Sequence, residues 1–265
     1  MTFLDALLLG LVQGLTEFLP VSSSGHLVLV EHLLGVSSND ISFEVATHFA
    51  TLLAVVAFFF PVLTRIFLSP IKIIVGIRDE MTTRDFSQFV IICIATIPAM
   101  VIGLLFKDQI ESAFSSARMA SAMLLVTSAI LLSTLLAKPK GKHVTLKSGF
   151  LIGCAQALAI LPGISRSGST ITAGLFSGVS RQEAFSFSFI LSMPAIIGAT
   201  LLTGIDAIET GLSFGISSYI IAMAVAFVSG YFALLLLQKM VISGKIYLFG
   251  IYTLIAGILG IVFIK

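Results

Sequence analysis

A carboxylate, a serine run and an imidazole follow one another in Gln13-Gly14-Leu15-Thr16-Glu17-Phe18-Leu19-Pro20-Val21-Ser22-Ser23-Ser24-Gly25-His26. A second polar stretch, Leu161-Pro162-Gly163-Ile164-Ser165-Arg166-Ser167-Gly168-Ser169-Thr170, sets an arginine among serines. Arg166 offers a planar, permanently charged fork suited to phosphate oxygens. Ser22, Ser23, Ser165, Ser167 and Thr170 add hydroxyl donors, and a turn containing Gly163 lets backbone approach an anion closely. Together these residues predict an oxyanion pocket. Glu17 supplies a carboxylate, either as a base or for a hard divalent cation such as Mg2+ or Ca2+. Gln13 lies one helical turn before Glu17, so the two share a face and can share a metal or a water. Helix–helix hydrogen bonding by Gln13 is the other reading. His26 can serve as base, acid or nucleophile.

The surroundings of these stretches are apolar. The chain of 265 residues is 57% hydrophobic and only 11% charged, with a mean hydropathy of +1.12. Soluble domains carry about 25% charged residues, so the composition excludes a water-soluble fold and predicts a polytopic, all-α membrane protein. No nucleic-acid partner is expected. Phe is abundant at 22 residues and Trp is absent, so interfacial aromatics must be Tyr and Phe. Cys93 and Cys154 sit in apolar runs and read as small core residues. No basic segment precedes the first apolar run, which argues against a cleavable signal peptide.

The two stretches align with each other. Gly10 leads to Gln13 as Gly153 leads to Gln156, Pro20 and Pro162 are 142 positions apart, and Gly25 and Gly168 are 143 apart. This is an internal repeat of half the chain. It sets repeat one at about 1–140 and repeat two at about 145–265 within a single membrane domain. The apolar runs around Gln13–His26 are too short to span, so residues 5–34 and 149–180 are expected to form re-entrant helical hairpins. Their broken backbone is tolerable at membrane depth only when buried in protein or lining a wet cavity. Six spanning helices are expected over about 45–60, ended by Pro61, then 86–106, 119–137, 183–202, 219–237 and 246–264. Pro98 and Pro194 lie inside the second and fourth as kinks.

Lys and Arg orient these spans. One assignment puts Arg65, Lys72, Arg78 and Arg84, the Lys138–Lys147 cluster, Arg181, Lys239 and Lys245 in the cytoplasm. The 203–218 connection, with Asp206 and Glu209 but no Lys or Arg, then falls outside with both termini. Three spans per half invert the second repeat, so the hairpins enter from opposite sides and meet near the midplane.

Plainer roles compete for each residue. Ser24 and Ser169 serve equally well as packing residues, and Glu17 with Arg166 could be a structural ion pair, although intramembrane charges usually mark function. Glu31, His32, Glu44 and His48 read as interfacial, and His143 as part of the basic cluster. The glycine face from Gly250 to Gly260 would allow a homodimer.

The two motifs, in this order and at this spacing, resemble the bacterial undecaprenyl pyrophosphate phosphatases of the bacitracin-resistance type, over essentially the whole chain. Gln13 stands where several members carry Glu, and Ser24 where others carry Thr. The resemblance implies an inner-membrane enzyme that removes the terminal phosphate of a polyprenyl pyrophosphate lipid. It also implies an active site open to the outer side and a divalent-cation requirement. In the mechanism this suggests, Arg166 and the hairpin donors hold the phosphate, and Mg2+ or Ca2+ held partly by Glu17 offsets charge. Ser23 attacks, with Glu17 or His26 as base; His26 as nucleophile and direct attack by water remain open alternatives. A lipid-phosphate transporter or flippase is the rival from another class. It would want the anion pocket but not the Glu17, Ser23, His26 group.

Overall fold

The computed structural model describes residues 3–27, 41–114, 116–210 and 214–263, and these are helical throughout apart from turns and one isolated bridge between Lys142 and Val179. In chain order the helices are α1 (Phe3–Phe18), α2 (Ile41–Ile74), α3 (Glu80–Leu105), α4 (Lys107–Phe114), α5 (Ala117–Ser133), α6 (Leu146–Leu158), α7 (Arg166–Phe176), α8 (Arg181–Thr210), α9 (Ile216–Ile242) and α10 (Tyr247–Phe263). Residues 23–27 are also helical, and a 3-10 turn, Thr134–Leu136, extends α5. Among the described residues, four helical stretches are long and apolar enough to cross a membrane: Val45–Ile74, Glu80–Leu105, Ala117–Leu136 and Ile216–Ile242. Large apolar side chains face outward along them, among them Phe60, Leu105 and Phe232. That is the inverse of a soluble surface and matches lipid.

The helices break inside the first polar stretch and just ahead of the second. α1 stops at Phe18, ahead of Leu19 and Pro20, because proline disfavours helical backbone in the residue before it. α6 stops at Leu158, and Pro162 with Gly163 turns the chain into α7. Gly163 has φ +92°, and a Cβ there would sit 2.2 Å from the Ala120 carbonyl oxygen, so only glycine fits.

Close backbone packing positions both broken segments. α1 lies along α9: a Cβ on Gly10 would be 2.5 Å from Ala222 O, and one on Gly14 would be 2.5 Å from Ala226 O. α6 lies along α3 in the same way, with Gly153 leaving only 2.1 Å between an added Cβ and Ala95 O. Beneath the first turn, Phe18 of α1, Phe59 of α2 and Phe185 and Phe189 of α8 form a buried aromatic cluster with centroids 5.0–6.2 Å apart. Edge, tilted and stacked pairs of this kind fix three helices around the site more firmly than area alone.

Two expectations are corrected. The first span does not end at Pro61: α2 runs through Pro61 and Pro70 to Ile74. The missing Pro61 N–H costs one helical bond, whereas ending the helix inside an apolar run strands several backbone groups where lipid offers no partner. The connection expected over 203–218 is shorter, because α8 continues to Thr210 and α9 begins at Ile216; a helix need not stop where its residues become polar. The glycine face of α10, expected to allow a homodimer, packs on α5. Cβ atoms on Gly250 and Gly257 would meet Leu131 at 3.1 Å and Leu125 at 2.7 Å, and the Ser128 hydroxyl of α5 donates to Gly250 O at 2.7 Å. Residues 28–34 of the first expected hairpin, with Glu31 and His32, lie outside the described residues, as does the side chain of Glu44.

Candidate active site

Glu17 occupies the last turn of α1 and is 7% exposed. Its two oxygens are divided between the two polar stretches. Oε2 accepts from the Ser23 hydroxyl at 2.8 Å and from Gln13 Nε2 at 3.2 Å. Oε1 accepts from Arg166 Nη2, at the start of α7. Burial of a carboxylate is costly unless it is paired and hydrogen-bonded, and here three donors compensate it. Two atoms at this centre keep unused capacity: Arg166 Nη1 and Gln13 Oε1 are buried without a protein partner.

The turns that present Ser23 and Arg166 share a construction. Ser22 Oγ accepts from the Gly25 N–H at 3.3 Å, and Ser165 Oγ accepts from the Gly168 N–H at 3.1 Å. Each serine thus caps the helix whose first residue is Ser23 or Arg166, satisfying an N–H that has no intrahelical acceptor. The tips touch, with Gly25 leaving only 3.2 Å between an added Cβ and Gly163 Cα.

The remaining residues expected at the site divide. The Ser167 hydroxyl donates to Phe18 O at 3.0 Å, tying the start of α7 to the end of α1. Thr170 is fully buried and bonded to Arg166 O at 2.8 Å and to the Ser188 hydroxyl at 2.5 Å. Gly163 forms the turn, and Ser165 caps α7. The hydroxyls of Ser165, Ser167 and Thr170 are therefore engaged in building the pocket. His26 lies beside the centre, bonded through Nδ1 to Ser22 O at 2.9 Å and through Nε2 to the Tyr252 hydroxyl of α10 at 2.7 Å.

Three residues here were not expected from sequence. Thr127 of α5 donates to Gly163 O at 2.7 Å and accepts from the Ser165 N–H at 2.9 Å, pinning the second turn. His48 of α2, read as interfacial, places Nε2 3.7 Å from Glu17 Oε2. Tyr252 holds His26. Threonine and tyrosine inside apolar spans carry no distinguishing pattern, whereas an imidazole within a spanning segment was a usable signal for His48. His143 instead meets Glu183 and Arg84 at the far basic loop. Among the described residues no three His, Cys, Asp or Glu side chains gather to hold a metal.

A buried carboxylate bonded to a hydroxyl on one side and a guanidinium on the other can deprotonate that hydroxyl beside an anion held by the guanidinium. Comparison with known proteins finds relatives over nearly the whole chain. The sequence profile of the family described as "Bacitracin resistance protein BacA" matches residues 6–259. An undecaprenyl-diphosphatase of Desulforapulum autotrophicum is 39% identical, over 99% of this chain and 98% of that protein. One from Desulfosudis oleivorans is 41% identical, over 96% of each. One from Alkaliphilus metalliredigens is 40% identical, over 99% of each.

Proposed function

The chain belongs to the bacitracin resistance protein BacA family, and from this membership and the Glu17 geometry we propose how its residues perform the family's reaction. It is an integral membrane undecaprenyl-diphosphatase, which hydrolyses the diphosphate lipid to undecaprenyl phosphate and phosphate. The observation that carries the mechanism is the divided carboxylate of Glu17, with Ser23 on one oxygen and Arg166 on the other. The terminal phosphate takes Arg166 Nη1, the donor left without a protein partner, and the N–H groups at the start of α7. Ser23 Oγ attacks the terminal phosphorus in line and its proton passes to Glu17 Oε2. The phosphorus–oxygen bond to undecaprenyl phosphate breaks, and that product leaves with the bond's electron pair. Water then attacks the phosphoserine, the serine hydroxyl is restored and phosphate departs. In this arrangement His26 is not the nucleophile, because its Nε2 is bonded to Tyr252. A transporter would have no use for the Ser23–Glu17 bond.

A divalent cation, Mg2+ or Ca2+, fits the donor set. Glu17 and the unpartnered amide oxygen of Gln13 would hold it together with diphosphate oxygens, the sparse protein ligation typical of Mg2+ at phosphates. Bound there, it would supply positive charge against the phosphate. For the architecture we take α2, α3, α5, α8, α9 and α10 as six spans, and the breaks after α1 and α6 as the tips of re-entrant hairpins in two inverted repeats, about 1–140 and 145–265. The α1–α9 and α6–α3 contacts support this, since each broken segment lies on a span of the other half through Gly10 or Gly153. With the basic connections in the cytoplasm, the pocket opens on the outer side of the bacterial inner membrane. Phosphate release by purified protein tests the serine step. Ser23→Ala should lose release by more than about a thousandfold while still binding the lipid; release at the wild-type rate refutes it.

A further inference from the structure

Ser22 is the one non-glycine residue with positive φ among those described, at +68°. Such backbone costs free energy and persists only where its surroundings impose it. Two bonds from one residue do so here: the His26 N–H donates to Ser22 O at 3.2 Å, and the His26 ring donates to the same oxygen at 2.9 Å. A carbonyl only accepts, so Nδ1 carries the ring proton and Nε2 of the neutral ring is an acceptor. Nε2 receives the Tyr252 O–H at 2.7 Å, and the two rings stack at 5.5 Å and 13°. The chain of contacts therefore runs from Tyr252 through His26 to the Ser22 carbonyl, and the Ser22 conformation sets the direction of the next residue, Ser23. The second turn needs no such lock. Its positive φ falls on Gly163, Ser165 has φ −72°, and Thr127 pins both.

We propose that Tyr252 is a positioning residue for the reaction: through His26 it holds the left-handed Ser22 turn that aims Ser23 at Glu17. This rests on Ser23 as the nucleophile, and it makes His26 a positioning group too. The Tyr252 hydroxyl fixes the ring's tautomer and plane, the ring holds the Ser22 carbonyl, and the serine hydroxyl stays 2.8 Å from its base.

The test measures kcat and KM for phosphate release from undecaprenyl diphosphate by purified Tyr252→Phe, His26→Ala, His26→Asn, Ser22→Asn/His26→Ala and Ser23→Ala, each checked by thermal melting. Tyr252→Phe should lower kcat about five- to tenfold, the value of one hydrogen bond, with KM unchanged. His26→Asn keeps an N–H near the Nδ1 position and should stay within about tenfold of wild type, far above His26→Ala. Asparagine tolerates positive φ and caps helices, so Ser22→Asn should restore part of the activity that His26→Ala removes. Wild-type kcat in Tyr252→Phe, His26→Asn as inactive as His26→Ala, or no recovery from Ser22→Asn overturns the proposal. An active Ser23→Ala overturns the serine mechanism and the positioning role with it. An inactive Ser23→Ala beside an unaffected Tyr252→Phe overturns the positioning role alone.

Discussion

Replacing Arg166 by lysine and by alanine separates its two duties. One terminal nitrogen of the guanidinium, Nη2, pairs with Glu17, and the other terminal nitrogen, Nη1, is buried without a protein partner. Leaving Nη1 unsatisfied costs about 1–3 kcal/mol until a phosphate oxygen takes it. Lysine keeps the charge and one contact to Glu17 but has no second nitrogen in a fixed fork. Arg166→Lys therefore forfeits one charge-assisted bond to the substrate, about 1.5–3 kcal/mol. At about 1.4 kcal/mol per decade this is a 10- to 100-fold loss in kcat/KM, with little change in melting temperature. Arg166→Ala in addition leaves the Glu17 carboxylate, 4% exposed in its side chain, without its cationic partner. Breaking a buried pair costs about 3–5 kcal/mol, so this variant should melt at lower temperature as well as lose activity. Neutralising the carboxylate with Glu17→Gln in the Arg166→Ala background should recover stability but not activity. The assay is phosphate release from undecaprenyl diphosphate by purified protein, paired with thermal melting. Wild-type kcat/KM in Arg166→Lys, or an unchanged melting temperature in Arg166→Ala, refutes the two-duty assignment.

Other outcomes follow from the same contacts. Thr127→Val strands Gly163 O and the Ser165 N–H, so it should lower stability by about 1–3 kcal/mol and reduce kcat, measured by melting and phosphate release. Gly153→Leu places carbon against Ala95 O, where even a Cβ would sit at 2.1 Å; it should force α6 off α3 and lower the melting temperature, whereas Gly103→Leu, with its nearest neighbour at 3.9 Å, should not. Chelation of divalent cations should abolish phosphate release, which Mg2+ or Ca2+ restores, and Gln13→Glu should tighten cation dependence by adding a carboxylate; unchanged half-saturation by the cation in that variant would remove Gln13 from the ligand set.

What the sequence revealed depended on how rare each residue type is in its surroundings. In a chain with 11% charged residues, Glu17 and Arg166 stand out, and the structure pairs them across 149 positions. The serine and glycine turns were legible as turns because proline and glycine act locally on backbone. The roles of their hydroxyls were not, since Ser167 and Thr170 bond to Phe18 O and Ser188, partners that only the packing of α7 against α1 and α8 brings near. Helix ends were misjudged at Pro61 and at Thr203 for one reason. Proline and polar residues end helices in water, but a helix in or beside lipid continues wherever stopping would strand its backbone groups. Thr127 and Tyr252 were hidden because a single polar group in an apolar helix has no periodic signature.

The two capped turns explain why the reacting groups come from both polar stretches. Ser22 and Ser165 make the same bond to a glycine N–H three residues on, so each delivers the following residue at the start of a helix. One turn delivers Ser23, and the other delivers Arg166. Either residue alone faces a difficulty. A serine hydroxyl has no base to activate it without Glu17, and Glu17 is an expensive buried anion without Arg166. Arg166 alone would be an unpaired cation at the same depth. Placed tip to tip, each removes the other's penalty: the arginine stabilises the carboxylate as an anion, and the anion accepts the serine proton. Because one cation serves both base and phosphate, Nη2 stays with Glu17 Oε1 while Nη1 takes a phosphate oxygen. Glu17 Oε2 then takes the Ser23 proton as the serine oxygen bonds to phosphorus. Glu17→Gln keeps the side chain's size but cannot take that proton, so it should lose phosphate release by about a hundred- to ten-thousandfold while still binding a non-hydrolysable diphosphate lipid. Release at the wild-type rate in Glu17→Gln would show that the proton goes elsewhere.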